Sequence, residues 1–213
     1  YPGLVQLITK ENTKSLKGVR VKANVGLRQG SKSIDSAKGE VLFTDYGLSG
    51  ISIMDISRSV KDGQYTCVID TLPRCKADEA EDFLLSLDKE IPIENALSGM
   101  MPKALGRYIL KRCGENSLSS LGKIGKEKID KIIYTAKNLD FTITGTMGFK
   151  NAQISVGGAD VKEFDSKTME SKQVKGLFCA GEVLDTDGIC GGFNLQWAWA
   201  SGLTAGRYAA TEK

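Results

Sequence analysis

Residues 176–196 read GLFCAGEVLDTDGICGGFNLQ. The apolar run from Leu177 to Ala180 ends in Gly181 and Glu182. Its continuous hydrophobicity predicts a buried parallel strand over 177–181. A glycine-rich loop over 181–193 follows, and then a helix over 194–210, on which Leu195, Ala198, Trp199, Gly202, Ala205, Gly206 and Ala209 recur at helical spacing. Ligands of open α/β sheets bind where such a strand hands over to its helix. Gly188, Gly191 and Gly192 allow close backbone approach. Unpaired N–H groups at Phe193, Asn194 and Leu195, with the positive end of the helix dipole behind them, would hold a phosphate or a delocalised anion. Glu182 is placed to accept hydrogen bonds from sugar-type hydroxyls, with Asp185 and Asp187 as weaker candidates for the same work. The loop is neither a G-x-x-x-x-G-K-S/T nor a G-x-G-x-x-G sequence, so a tight structural turn is the competing reading.

Working outward, the chain divides into three. Residues 1–75 read as strands forming a small β-barrel-like module. In GVRVKANVGLRQG (18–30), Val19, Val21, Ala23, Val25 and Leu27 alternate with polar neighbours. GEVLFTDYG and GQYTCVIDTLP are further strand candidates, with turns at Gly18, Gly30, Gly39 and Asp62-Gly63. A short helix is expected after Ser49, with Ser49 as its N-cap. Residues 76–138 switch to helical period and predict a small helical bundle. Ala80, Phe83, Leu84, Leu87 and Ile91 form one stripe, opened by Asp78 and Glu81 at capping-box spacing. Ile129, Ile132, Ile133 and Ala136 form another, and a third helix runs from Pro102 to a C-cap at Gly114. Residues 139–213 return to strands, DFTITGTMG and AQISVGG, and end in the helix above. The fold class expected is α+β and multi-module.

Composition narrows the chemistry. The chain of 213 residues contains no histidine, which removes Ser-His-Asp and Cys-His catalysis and most zinc sites from within it. No metal site is expected, and no catalytic side chain stands out. Five cysteines without a C-x-x-C pair point to a reducing, cytoplasmic setting rather than a disulfide scaffold. No apolar run is long enough for a membrane span. The net charge of +3 is unevenly spread: eight Lys/Arg against three Asp/Glu in residues 1–40 put +5 there and −2 on the rest. That patch keeps a second function class open, a non-enzymatic barrel module that binds RNA or another polyanion. A nucleic-acid partner is not favoured, because the basic half lacks clustered aromatics for base stacking. A third class is an acid–base enzyme using Glu182 with Asp185 or Asp187.

The segment KGLFCAGEVLDTDGICGGFNLQWAWASGLTAGRYAA closely resembles the C-terminal signature of a bacterial family of FAD-dependent oxidoreductases, the aminoacetone-oxidase-like or BaiN-like flavoproteins. ISVGGADVKEFDSKTMESK and GEVLFTDYGLSGISIMDIS resemble the segment before it and the family's inserted module. The resemblance implies FAD as cofactor, with NAD(P)H as a possible electron donor and a small molecule as substrate. It implies that residues 139–213 are the C-terminal part of an incomplete Rossmann-like FAD-binding domain. By the same resemblance Gly181 and Glu182 lie at the ribityl chain. Gly191, Gly192, Phe193, Asn194 and Leu195 face the flavin pyrimidine edge, Gly157 and Gly158 form a turn near the ring, and Asp187 lies in the same loop. Ala159 stands where the family is expected to have Val. No G-x-G-x-x-G unit is found, so the chain is expected to be a piece of a longer protein, with an N-terminal part missing and weak FAD binding on its own.

Overall fold

The computed structural model describes residues 1–211. Glu212 and Lys213, the end of the expected 139–213 segment, lie outside the described residues. Eight strands and six α-helices follow one another in the order β1 (Pro2–Gly3), β2 (Leu7–Thr9), β3 (Arg20–Gln29), β4 (Lys32–Phe43), β5 (Gly47–Ser49), α1 (Ile51–Ser57), β6 (Tyr65–Asp70), α2 (Ala77–Ser86), α3 (Ile93–Leu97), α4 (Lys103–Cys113), α5 (Lys126–Lys137), β7 (Leu139–Thr146), β8 (Ile154–Ser155) and α6 (Phe193–Thr211). None of the helices among the described residues is long and apolar enough to cross a membrane.

Six of the strands close an antiparallel barrel in the order β2-β5-β4-β3-β6-β7. Period-2 alternation builds it: Ala23, Val25 and Leu27 of β3 and Cys67 and Ile69 of β6 point inward and are buried. Burial pushes the Cys67 thiol up to about 12. β4 begins at Lys32, earlier than the sequence suggests. Gly39 is therefore not a turn; it pairs with Ala23 inside the strand and faces Ser52 of α1. The N-cap of α1 is Gly50, not Ser49, which belongs to β5.

Residues 139–146, expected with the C-terminal segment, form the strand that seals the barrel between β6 and β2, with Phe141 opposite Cys67 and Leu7 opposite Thr146. No local pattern reveals that pairing, because its partners lie seventy or more positions upstream. Phe141 is fully buried, with ring centroids 6.0 Å from Phe43 and 6.2 Å from Tyr108 of α4. Barrel and helices thus share one continuous core, which also takes in Leu84, Leu97, Ile109, Ile129 and Ile132. At the start of α2, the Glu79 carboxylate accepts the Lys76 N–H at 2.8 Å, two residues before the expected Asp78–Glu81 box. Phe83, expected in the core stripe, is 41% exposed and walls an open groove with Pro73, Cys75 and Met100.

One buried carboxylate ties the helices together. Glu94 of α3 accepts two hydrogen bonds from the Arg107 guanidinium, at 2.7 and 3.1 Å, and lies 3.2 Å from Lys103 Nζ. Arg107 first, then Lys103, holds its carboxyl down at about 2 against an ordinary 4.5. A depressed folded-state value gives stability that is complete above the unfolded value and disappears as pH falls through the folded one. Thermal melts should therefore show the wild-type protein losing stability between pH 4.5 and about 2 more steeply than Glu94→Gln, which is less stable at neutral pH. Parallel pH profiles for the two proteins would refute this assignment.

The C-terminal residues form a smaller body with its own core of Phe164, Met169, Leu184 and Ala205. β8 joins it to the barrel side by pairing with β1, Gly3 opposite Ile154. The expected parallel strand over 177–181 is not formed. Phe178 makes only an isolated antiparallel bridge to Glu170, and Gly181–Val183 is a 3-10 turn. Its neighbour is the short stretch 169–171, where Met169 O accepts Cys179 N–H at 3.1 Å and Ser171 N–H donates to Leu177 O at 2.7 Å, an antiparallel contact too brief to extend into a ladder. The helix is present as α6, but most of its expected stripe is exposed: Leu195 and Trp199 are each 70% exposed, and of the stripe Ala205 is buried, beside Ser201.

Candidate functional site

The glycine-rich loop is fixed from below by Gly181. In the left-handed region at φ +70°, its N–H donates to Ser201 Oγ at 2.9 Å, and its carbonyl accepts Trp197 Nε1–H at 3.1 Å. These two bonds dock α6 against the turn. On the other side, Ala159 and Leu184 form a parallel bridge, with Ala159 N–H bonded to Val183 O and Asp185 N–H to Ala159 O, both at 2.9 Å. Gly158 permits that approach, since a Cβ there would stand 2.5 Å from Val183 O.

Above this base lies a cavity of about 330 Å³. Of the residues picked out in the sequence, Glu182, Asp187, Gly191, Gly192, Asn194 and Leu195 line it. Gly181 lies beneath it. Gly157, Gly158 and Phe193 are exposed nearby and do not line it. The apolar wall is Leu4, Ile154, Ile189, Trp197 and Ala198, none of which the sequence marked. Leu4 is held at φ 47°, a left-handed conformation that leucine rarely adopts and that costs on the order of 1–3 kcal/mol, a form of strain that gathers at ligand sites.

The polar groups differ in what they have left to offer. Glu182 is exposed and uses Oε1 to accept Ser155 N–H at 2.6 Å. The Asn194 side chain is spent: its Oδ1 accepts Gly188 N–H at 2.7 Å, and its Nδ2 donates to Gly188 O at 2.9 Å. Asp187 is spent as well, in an ion pair with Arg58, where the sequence reading had it reaching for hydroxyls. Asp185 is exposed and is not part of the wall. The amides that open α6 remain available. Gln196 N–H makes the first bond of that helix, to Gly192 O at 3.0 Å, and Phe193, Asn194 and Leu195 N–H meet no acceptor among the described residues. The Cys190 N–H donates to Asp55 Oδ1 at 2.8 Å, and burial together with Asp55 pushes the Cys190 thiol up to about 11. A thiol so protonated at neutral pH is a poor nucleophile.

The cavity is at the small end of ligand pockets. It has an apolar floor, unpaired N–H donors on one rim and a carboxylate on another. That donor set suits the acceptor-rich edge of a flat ring carrying a hydroxylated tail. It is too small to enclose a dinucleotide.

A second hollow of about 670 Å³ lies where the 3-10 turn Lys14–Leu16 meets α4, lined by Lys14, Lys111 and Arg112 together with Glu11, Asn12, Ser15 and Tyr108. Arg112 is tied to Asp140 at 2.5 Å, and no carboxylate ion-pairs with Lys14 or Lys111 among the described residues. The expected basic character of the N-terminal stretch is thus extended by α4.

Comparison with known proteins places these features. Residues 1–154 match the model described as HI0933-like protein barrel and H2TH domain. A 3-dehydro-bile acid delta(4,6)-reductase of Clostridium scindens is 36% identical over 218 residues, 98% of this chain and 53% of that protein. Ribosomal RNA dihydrouridine synthases of Haemophilus influenzae and Escherichia coli are 33% and 32% identical, over 76% and 90% of this chain and 40% and 46% of theirs. The chain therefore spans about half the length of the curated relatives it matches. With its barrel and helices matched as one unit and its likeness to the reductase running on through the glycine-rich loop, the protein belongs to the HI0933-like family.

Proposed function

We propose that this chain is part of an FAD-dependent oxidoreductase that reduces a carbon–carbon double bond conjugated to a carbonyl. The observation that carries the reading is the cavity, which gathers Glu182, Gly191, Gly192 and the opening amides of α6 around an apolar floor. The names of the relatives support the reaction class. A 3-dehydro bile acid with 4,6 unsaturation and a uridine ring both hold a C=C bond in conjugation with C=O.

The flavin supplies hydride chemistry, and NAD(P)H is the proposed donor to it. This chain's residues bind and orient. The N–H groups at Gly191, Gly192, Phe193, Asn194 and Leu195 stabilise negative charge on the pyrimidine edge. The free oxygen of Glu182 would accept a ribityl hydroxyl, Gly181 sets the turn that aims it, and Gly157 and Gly158, outside the cavity wall, would meet the cofactor only beyond its mouth. In this reading residues 155–211 form the flavin-facing part of a Rossmann-like domain, and the barrel with its helices covers the substrate side. The five cysteines, all free, fit a cytoplasmic setting.

The leading substrate is a small unsaturated ketone. A second reading, uridine within RNA, is favoured by the hollow at Lys14, Lys111 and Arg112, which suits a phosphodiester backbone. The test is made on the full-length protein. It should carry flavin absorbance as purified, and Glu182→Ala should weaken flavin binding about tenfold, the order of one lost charged hydrogen bond. Reoxidation of the reduced enzyme by a 3-oxo-4,6-diene steroid acid, set against a uridine-containing RNA, identifies the substrate. A full-length protein that takes up no flavin would end this reading.

A further inference from the structure

Helix α1 belongs to the barrel, yet its last turn reaches the glycine-rich loop twice. Asp55 Oδ1 accepts the Cys190 N–H at 2.8 Å. Three residues on, and so on the same side of the helix, Arg58 pairs through Nε with the Asp187 carboxylate and donates from Nη2 to Asp187 O at 3.2 Å. The partners are 135 and 129 positions apart in the chain. The loop's remaining bonds are local: Thr186 N–H to Leu184 O and the Asn194–Gly188 exchange. Among the described residues, therefore, hydrogen bonds fix residues 186–191 from outside their own segment only through α1.

The pair is not a solvated surface contact. Arg58 and Asp187 side chains are 24% and 18% exposed, and Asp187 separates the cavity at Glu182 from a second hollow of about 440 Å³ bounded by Arg58, Asp35, Lys61 and Tyr65. The charges around the cavity rim are unequal. Glu182 and Asp187 line the cavity, Asp55 lies behind Cys190, and Arg58, paired with Asp187 from outside the cavity wall, is the guanidinium that answers them. Removing one partner of a half-buried pair leaves the other charge uncompensated in a poorly solvated place.

We propose that Asp55 and Arg58 are positioning residues of the cavity: they hold the loop 186–191 in place from the barrel, and Arg58 cancels the charge of Asp187 at the cavity rim. The mechanical half of this stands on the geometry alone. The electrostatic half rests on the flavin reading above. With Arg58 present, the reduced and negatively charged flavin meets a neutral ion pair. Without it, that flavin meets a bare carboxylate, and reduction becomes harder.

Two measurements on the full-length protein test the proposal separately. Hydrogen exchange on the flavin-free protein should show amides of 186–191 exchanging at least tenfold faster in Arg58→Gln, and the Cys190 amide doing so in Asp55→Asn, with barrel amides such as Val25 and Cys67 unchanged. Unchanged loop exchange in both variants overturns the positioning role. In the flavin-loaded protein, Arg58→Gln should shift the reduced-to-oxidised ratio about tenfold toward oxidised at a fixed potential, ~30 mV for a two-electron couple. Arg58→Lys should restore it, and so should the double variant Arg58→Gln/Asp187→Asn, because the two charges act as one unit. An unmoved or raised potential in Arg58→Gln overturns the electrostatic role. If the wild-type protein binds no flavin, the proposed function fails and the exchange experiment alone decides the positioning claim.

Discussion

Gly50→Ala is expected to cost about 3 kcal/mol or more and to disturb the cavity, although residue 50 does not touch it. Gly50 sits at φ +97°, between the end of β5 and the first turn of α1. A Cβ there would fall on the Glu40 carbonyl oxygen, well inside contact distance, and 2.9 Å from Leu42 N. Both obstacles are backbone atoms of β4, so no rotamer change relieves them. Strain of the left-handed conformation adds 1–3 kcal/mol. The protein can relax only by moving α1 away from β4, which carries Asp55 and Arg58 with it. Urea unfolding should show a lowered midpoint, and the Cys190 amide should lose protection even where the fold survives. Gly145→Ala in β7 is the control: nothing lies within 4 Å of its Cβ, its backbone is not left-handed, and its effect should stay within about 0.5 kcal/mol. Equal stability of the Gly50 and Gly145 variants would mean that the approach of α1 to β4 is looser than described.

Phe141→Ala should be of similar size, about 3–5 kcal/mol, for a different reason. The phenyl ring is wholly buried where β7 closes the barrel, between Phe43 inside the sheet and Tyr108 on α4. Its loss empties a site that rigid strands on one side and a helix on the other cannot collapse into. Because barrel and helices share one core, fluorescence and far-ultraviolet dichroism should report one coincident transition in both wild type and variant. Two separated transitions would show the helices to be an independent folding unit, as the division at residues 75 and 138 implies. A coincident one would support the description of residues 1–154 as a single barrel-and-helix unit.

Much of the fold could be read from local patterns. Period-2 runs at Val21–Leu27 and Tyr65–Ile69 became strands, and Ile129, Ile132, Ile133 and Ala136 became a buried helix face, because alternation and 3.6-residue periodicity are properties of a short segment. Caps were read less well. Gly50 displaced Ser49 and Glu79 displaced Glu81, since a cap depends on where the preceding strand or loop ends, a boundary set by packing. The run Leu177–Ala180 carried the hydrophobicity of a buried strand, yet it meets only the short antiparallel stretch at 169–171 and makes a single bridge to it. Strand propensity reports fitness for a sheet, and the sheet itself is a long-range matter.

The candidate site divides in the same way. Chain neighbours decide that Gly191, Gly192 and Asn194 stand at a helix start, so that much of the candidate site was legible in the glycine-rich stretch. That Glu182 would share its cavity with Leu4, that Asp187 would be taken by Arg58, and that Cys190 would hang from Asp55 required contacts across more than a hundred residues. By itself the sequence determined most of the elements, the inward faces of the strands, the absence of histidine from this chain and the place of the glycine-rich loop before the last helix. All of these follow from residue type and spacing along one segment. Only the tertiary structure decided which strand closes the barrel, which carboxylate stays free, and which helix steadies the loop. Each of those is a choice among competing partners, and it is settled by whichever contact buries the most surface with the fewest unpaired charges.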